Sequence, residues 1–200
     1  SDKFEKTDMK ELHYFLRIEV IRTQARIMIS QGQYILNLLY KFGMAECKSV
    51  ATPLDRNLKL DADLGTKACE PTQYRQLIRS LIYLTITRPY LSYPVGLFSQ
   101  FTQTPRDIHL DCAKRVLRYV SKTMDCVILY KMAMPIQLEG YTDADWAGYK
   151  ADRRPTSGFV FSLGSGAISW SSKKQPTIAL SSTEAEYGGG PVAACEAVWL

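Results

Sequence analysis

Two carboxylates stand where a chain could place phosphodiester chemistry. Asp143 follows Ile136, Leu138 and Tyr141, where an apolar strand ends, and Glu186 falls one turn into a helix that Ser181, Ser182 or Thr183 can cap. If that helix packs across the sheet, the two acids can meet. Paired carboxylates hold hard cations such as Mg²⁺, which takes oxygen ligands and keeps waters for a phosphate substrate. Two such ions about 4 Å apart activate water and stabilise the leaving oxygen. Spacing alone leaves other readings open. An Asp-x-Asp such as Asp143 and Asp145 also occurs in ordinary turns and sugar-nucleotide sites, and Glu186 also suits a cap or a surface position.

A second cluster is basic. Lys114, Arg115 and Arg118 ride on a helix whose Leu110, Ala113, Leu117 and Val120 form a buried stripe, with Arg106 and Lys122 near its ends. The face is either merely solvated or turned toward phosphates. Charge favours the first part of the chain for any such surface. Residues 1–130 hold 19 basic and 13 acidic side chains, against 6 and 7 in residues 131–200, for a net charge of +5.

The elements that must position these residues are legible in the pattern. At 200 residues and 46% hydrophobic, the chain can bury one large core or two small ones. Loose alternation from His13 to Ile29 predicts two strands around a polar turn at Thr23 to Arg26. Ser30 and Gln33 form a capping-box pair ahead of Ile35, Leu38, Leu39 and Phe42, and Gly43 can supply a left-handed stop. The stretch from Cys47 to Glu70 reads as a surface connection. Pro71 opens a second helix that ends before Arg88-Pro89, and a third spans 91–101 with Pro94 in its first turn. Thr104, Pro105 and Asp107 supply the N-cap, first-turn proline and dipole-matched acid of a fourth. Beyond Tyr130 come three strands, with a polar loop at Arg153, Arg154 and Pro155 and a turn at Gly164-Ser165-Gly166, and then the final helix.

Five cysteines, odd in number and without a Cys-x-x-Cys pair, predict neither disulfides nor zinc. No apolar run approaches the roughly 20 residues needed to span a bilayer, so the chain is expected to work inside the cell. A start at Ser1 without Met, and a stop at Trp199 and Leu200 within an expected helix, read as a chain cut at both ends.

Taken together, several stretches in the same order resemble the Pol polyproteins of Ty1/copia-type retrotransposons. ELHYFLRIEV (11–20) is similar to the hairpin that holds the primer terminus just after the polymerase YVDD motif. QGQYILNLLYKFGMAECKSVATPLD (31–55), SLIYLTITRP (80–89) and HLDCAKRVLRYV (109–120) resemble the family's segments downstream of that hairpin. YTDADWAG, then RRPTSGFVFSLGSGAISWSSKKQPTIALSSTEAEY and AACEAVWL, resemble the start of that family's ribonuclease H domain. The resemblance implies an α+β chain in two parts. Residues 1–130 would be the C-terminal part of a reverse transcriptase, with a primer-grip hairpin and a mostly helical thumb- or connection-like region. Residues 131–200 would be the first half of a ribonuclease H-like domain, a mixed sheet followed by a helix.

The resemblance also implies roles. Asp143 would bridge two Mg²⁺ ions and Glu186 would be the helix glutamate of the same site, while Asp145 and Glu184 would be structural or solvent-facing. The polymerase aspartates and the later ribonuclease H acids would fall outside the 200 residues. The implied partners are an RNA–DNA hybrid or primer-template, contacted through Lys114, Arg115 and Arg118, and the remaining Pol segments. The implied location is a cytoplasmic virus-like particle or the nucleus. Arg17 and Arg79 stand where the family shows glycine, Tyr90 where it shows aspartate, and Gly188 to Gly190 where it shows helix formers. Those glycines are expected to weaken the helix carrying Glu186. Three functions are compatible with this pattern: a piece of a polymerase and hybrid nuclease, inactive alone; a non-catalytic nucleic-acid-binding module; or a degenerate genomic remnant.

Overall fold

The computed structural model describes residues 11–55, 60, 67–146 and 154–200. Part of the expected 47–70 connection, and the polar loop through Arg153, lie outside them. The first sheet is antiparallel, in the order β1 (Tyr14–Phe15), β2 (Ile18–Arg22), β3 (Arg26–Ser30) and β4 (Ile128–Lys131). The Leu16-Arg17 turn between β1 and β2 runs at positive φ, +45° and +62°. Between β3 and β4 the chain builds α1 (Gly32–Lys41), α2 (Pro71–Leu84), a 3-10 turn (Pro89–Leu91), α3 (Ser92–Ser99) and α4 (Asp107–Val120).

Apolar spacing explains why these helices pack. Ile35, Leu38 and Leu39 of α1 join Tyr74, Leu77, Ile78, Leu81 and Leu84 of α2 in one core. Val95 and Phe98 of α3, and Ala113, Val116, Leu117 and Val120 of α4, complete it. Each large side chain so buried contributes about 1.5–3 kcal/mol relative to exposure. Pro94 falls within the first turn of α3, where its missing N–H leaves no helical acceptor wanting.

Two caps differ from the sequence expectation. The α1 N-terminus is capped from β2: Glu19 accepts from the Ser30 hydroxyl and the Gln33 N–H, both at 2.8 Å. Ser30 is therefore a link to Glu19 and not itself the cap. The fourth helix begins at Asp107, beyond Thr104 and Pro105, and the Arg106 N–H donates to His109 Nδ1 at 3.1 Å. Its buried stripe includes Cys112 and Val116, with Leu110 only partly covered. By contrast Gly43 adopts φ +64° and ends α1 as its residue type requires.

The second sheet is also antiparallel, in the order β5 (Leu138–Asp145), β6 (Thr156–Leu163) and β7 (Gly166–Lys174), and α5 (Ser182–Trp199) lies against it. The described strands thus form two antiparallel sheets, and β5, β6, β7 and α5 follow the order strand, strand, strand, helix read from the sequence. Both sheets and the helices lock together at a few points. The Tyr130 hydroxyl donates to the Ala167 carbonyl at 2.5 Å, and the Lys131 N–H donates to Ser165 Oγ at 2.7 Å. A Cβ at Gly166 would come within 2.6 Å of the Tyr130 ring, so this approach requires glycine. On the helical side, Trp170 Nε1 donates to the Thr85 carbonyl at 2.8 Å and Lys174 Nζ to Gln100 Oε1 at 3.0 Å.

The run Gly188 to Gly190 does not interrupt α5. Instead, a Cβ at Gly188 would overlap the Gln175 carboxamide, and one at Gly189 would sit 2.8 Å from Ser157 Oγ. Two of the three glycines therefore let the helix approach the sheet. No described helix is long and apolar enough to cross a membrane.

Candidate functional site

Strand alternation decides which way each acid of the second sheet points. Thr142, Ala144, Ser157, Phe159, Phe161, Ser169 and Ser171 share one face by register, and α5 covers it: Ser169 bonds Glu196, and Gly189 sits against Ser157 and Ala144. Tyr141, Asp143, Asp145, Val160 and Trp170 share the other face, which turns toward the 3-10 turn and α3. There an open groove of about 480 Å³ is lined by Tyr90, Tyr93, Tyr141, Asp143, Asp145 and Trp170, among others. Burial pushes the Tyr93 hydroxyl pKa up, and the nearby Asp145 charge adds to the shift.

Asp143 itself is exposed, and its Oδ1 accepts the Ala144 N–H at 2.8 Å. At the end of the same strand, Trp146 Nε1 donates to the Ala179 carbonyl at 2.9 Å, which ties β5 to the segment leading into α5. Ser181 Oγ caps α5 by accepting from the Glu184 N–H at 3.1 Å, and Glu184 Oε2 accepts from the Leu180 N–H at 2.7 Å. Glu184 is thus engaged at the helix start, accepting from the residue before the N-cap. Along α5, Ala185, Gly189 and Ala193 are buried, spaced four apart as one stripe. Glu186 is exposed beside that stripe, on the flank away from Gly188 and Gln175.

The structure therefore places Asp143 and Asp145 together in the groove, and Glu186 with the helix on the other face. Among the described residues, no group of three or more His, Cys, Asp or Glu side chains is placed to hold a metal ion.

The basic cluster of α4 is half-buried and largely occupied with its own chain. Arg115 Nε donates to the Thr52 carbonyl at 3.2 Å and its Nη2 to Thr52 Oγ1 at 3.1 Å. Arg118 Nε donates to the Lys48 carbonyl at 2.8 Å, and the Val50 N–H donates back to the Arg118 carbonyl at 3.3 Å. The two guanidiniums pin the segment after α1 onto α4, with Lys114 beside them on the same helix.

Reasoning from sequence did not anticipate the groove aromatics Tyr90, Tyr93 and Trp170. The alternation of Trp170 with Ser169 and Ser171 carried the signal for its face, but not which helix that face meets. A second feature it missed is Arg88, 1% exposed, whose Nη1 donates to the Tyr90 hydroxyl at 2.7 Å and whose Nη2 donates to the Met124 carbonyl at 3.0 Å. Its Nε is buried without a hydrogen-bond partner.

No protein-family model matches the chain, and no solved structure matches it. Curated relatives do. Over 200 residues the chain is 44% identical to the retrovirus-related Pol polyprotein from transposon RE1 of Arabidopsis thaliana, and all of the chain aligns. It is 35% identical over 209 aligned positions to the corresponding polyprotein from transposon TNT 1-94 of Nicotiana tabacum. The chain spans only 14% and 16% of the length of these two relatives. It is also 38% identical over 200 residues to an uncharacterized mitochondrial protein of Arabidopsis thaliana, of which it covers 82%.

Proposed function

Because the chain belongs to the Pol polyproteins of Ty1/copia-type retrotransposons, we propose that it is the stretch running from the reverse-transcriptase tail, residues 1–130, into the first half of a ribonuclease H-like domain, residues 131–200. The whole Pol protein would copy RNA into DNA and hydrolyse the RNA of the resulting hybrid. Its partners would be a primer-template or RNA–DNA hybrid and the other Pol segments. The observation that carries this reading is extent: the alignment to the RE1 polyprotein, at 44% identity, covers all 200 residues and so takes in both sheets.

Asp143 and Glu186 are the residues proposed for the nuclease chemistry. On their own they do not fit a pair of Mg²⁺ ions. Asp143 lies on the face turned away from α5, and a two-metal site needs more oxygen ligands than two carboxylates supply. The expected behaviour of the 200-residue chain is no cleavage of a labelled RNA–DNA hybrid in Mg²⁺, and cleavage that Asp143→Asn abolishes would overturn that reading. If a Pol chain that carries the full set of acids also brings Asp143 and Glu186 to one site, Asp143→Asn and Glu186→Gln should each remove cleavage, and Asp145→Asn should spare it.

A further inference from the structure

β5 stands at the edge of the second sheet, and every one of its residues except Ala144 is exposed. Among the described residues no strand pairs with its outer side. Two bonds fix which groups point there. The Gly164 N–H donates to the Gln137 carbonyl, and the Gln175 N–H donates to the Pro155 carbonyl. By alternation the odd-numbered residues of β5 bond β6, so Leu138, Gly140, Thr142 and Ala144 aim their N–H and C=O groups outward. An uncovered row of this kind is a template for another strand.

An identical strand satisfies it. When β5 pairs antiparallel with β5 of a second copy, outward residues must meet outward residues, which leaves few registers. With Gly140 opposite Gly140, Leu138 meets Thr142, Glu139 meets Tyr141 and Gln137 meets Asp143, so no like charges oppose one another. Sliding one copy to the next register in either direction sets Glu139 against Asp143 or against the second Glu139, which is destabilising. The favoured register makes about six new backbone hydrogen bonds.

The helices agree with that register. Its two-fold axis is perpendicular to the sheet, so both α5 helices lie on one face and run antiparallel. Because α5 packs over β5 and β6, an axis between those strands puts the two helices about two strand spacings apart, or about 10 Å. Packed helices sit about 8–10 Å apart. Gly140 pairs with Phe161, Phe161 pairs with Ser169, and Ser169 Oγ donates to Glu196, so the axis passes beside that turn of α5. The flank turned toward it, away from Gly188 and Gln175, carries Glu186, Gly190 and Ala197. Gly190 and Ala197 are small enough for close approach, and a Cβ at Gly190 would meet nothing within 4 Å. Each Glu186 lies about 16 Å along the helix from Ala197, and the antiparallel arrangement carries the two acids away from each other.

We propose that this chain forms a two-fold dimer in which β5 pairs with β5 and α5 packs beside α5, joining two three-stranded sheets into one. The contact uses the same patch on both copies, so it closes at two. It involves neither metal nor nucleic acid, and it stands or falls separately from the nuclease reading.

Sedimentation velocity of the 200-residue chain over a dilution series reads the dimer directly. Thr142→Pro removes one outward N–H, a loss that an edge strand tolerates, and should leave monomer alone. Tyr141 is 64% exposed, and it opposes Glu139 in the favoured register and not in its neighbours. Tyr141→Glu should therefore weaken the dimer several-fold, and Tyr141→Lys should tighten it several-fold. Circular dichroism checks each fold, and if Thr142→Pro does not fold, the two Tyr141 variants decide. A wild type that stays monomeric, its edge left to a strand of other sequence, would overturn the proposal. So would a folded Thr142→Pro chain that dimerises as the wild type does, two Tyr141 variants that shift the equilibrium in the same direction, or growth past the dimer.

Discussion

Alanine at each of the three consecutive glycines of α5 should give three different outcomes, because the same added methyl meets three different surroundings. Inside a helix, alanine is worth about 1 kcal/mol more than glycine. At Gly190 the new Cβ would meet nothing within 4 Å, so only propensity operates. Pro191 comes next, and its ring disfavours the helical region for a preceding residue with a Cβ. The expected change there is a stabilisation between zero and about 1 kcal/mol. At Gly189 the Cβ would lie 2.8 Å from Ser157 Oγ and 3.1 Å from Ser157 Cβ. That serine cannot turn away freely, because its Oγ accepts from Gln175 Nε2 at 2.5 Å. Overpacking of this kind costs about 1–3 kcal/mol, which outweighs or cancels the propensity gain. At Gly188 the Cβ would enter the Gln175 carboxamide, which is held by Ser157 and by the Ala185 carbonyl at 2.7 Å. Displacing it forfeits two hydrogen bonds of about 1 kcal/mol each in addition to the strain. Thermal and urea unfolding of the three variants measures the order, at about 2–4 °C per kcal/mol for a chain of this size. Alanine at Gly188 stabilising as much as alanine at Gly190 would refute the packing of α5 on the sheet.

Tyr90→Phe keeps the edge-to-face contact with Tyr119, 5.9 Å between centroids, and removes only the hydroxyl that accepts from Arg88 Nη1, leaving the bond to Met124. Hydrogen bonds to charged groups contribute about 1.5–3 kcal/mol, and urea unfolding should report a loss near the lower end because Tyr90 is 44% exposed. Arg115→Lys with Arg118→Lys retains the charge of α4 but not the fork that grips Thr52 and Lys48. Limited proteolysis should then cut faster between residues 47 and 55, whereas an unchanged rate would show that these bonds do not hold the segment. Burial pushes the Cys112 thiol up to about 11 from an ordinary 9.0. Above the unfolded pKa the unfolded state releases this proton first, so stability should fall as pH rises from about 9 to 11, by about 1.4 kcal/mol per pH unit. An unfolding midpoint flat across that range in the wild type, or a decline undiminished in Cys112→Ala, would contradict this.

Much of the molecule is determined by local pattern. Each α-helix of the described residues lies where apolar spacing, a cap or a proline announces it, because these signals act within a few residues. The hairpin at Thr23 to Arg26 and the left-handed stop at Gly43 are legible for the same reason. Motif order alone also carried the family membership. What tertiary structure decided are relations between distant segments. Glu19 caps α1 from another strand, and Arg115 and Arg118 turn to the Thr52 and Lys48 backbone in place of solvent. Two apparent irregularities acquire physical meaning only there. Gly188 and Gly189 look helix-breaking in isolation, yet they permit the approach to Gln175 and Ser157. Arg17 reads as a surface charge, yet its backbone is left-handed and its guanidinium lies over the Tyr34 ring of α1. Asp143 marks the limit most clearly. Its residue type and strand were readable, but the face it occupies depends on strand register and on which side α5 lies, and neither is written within the seven residues around it.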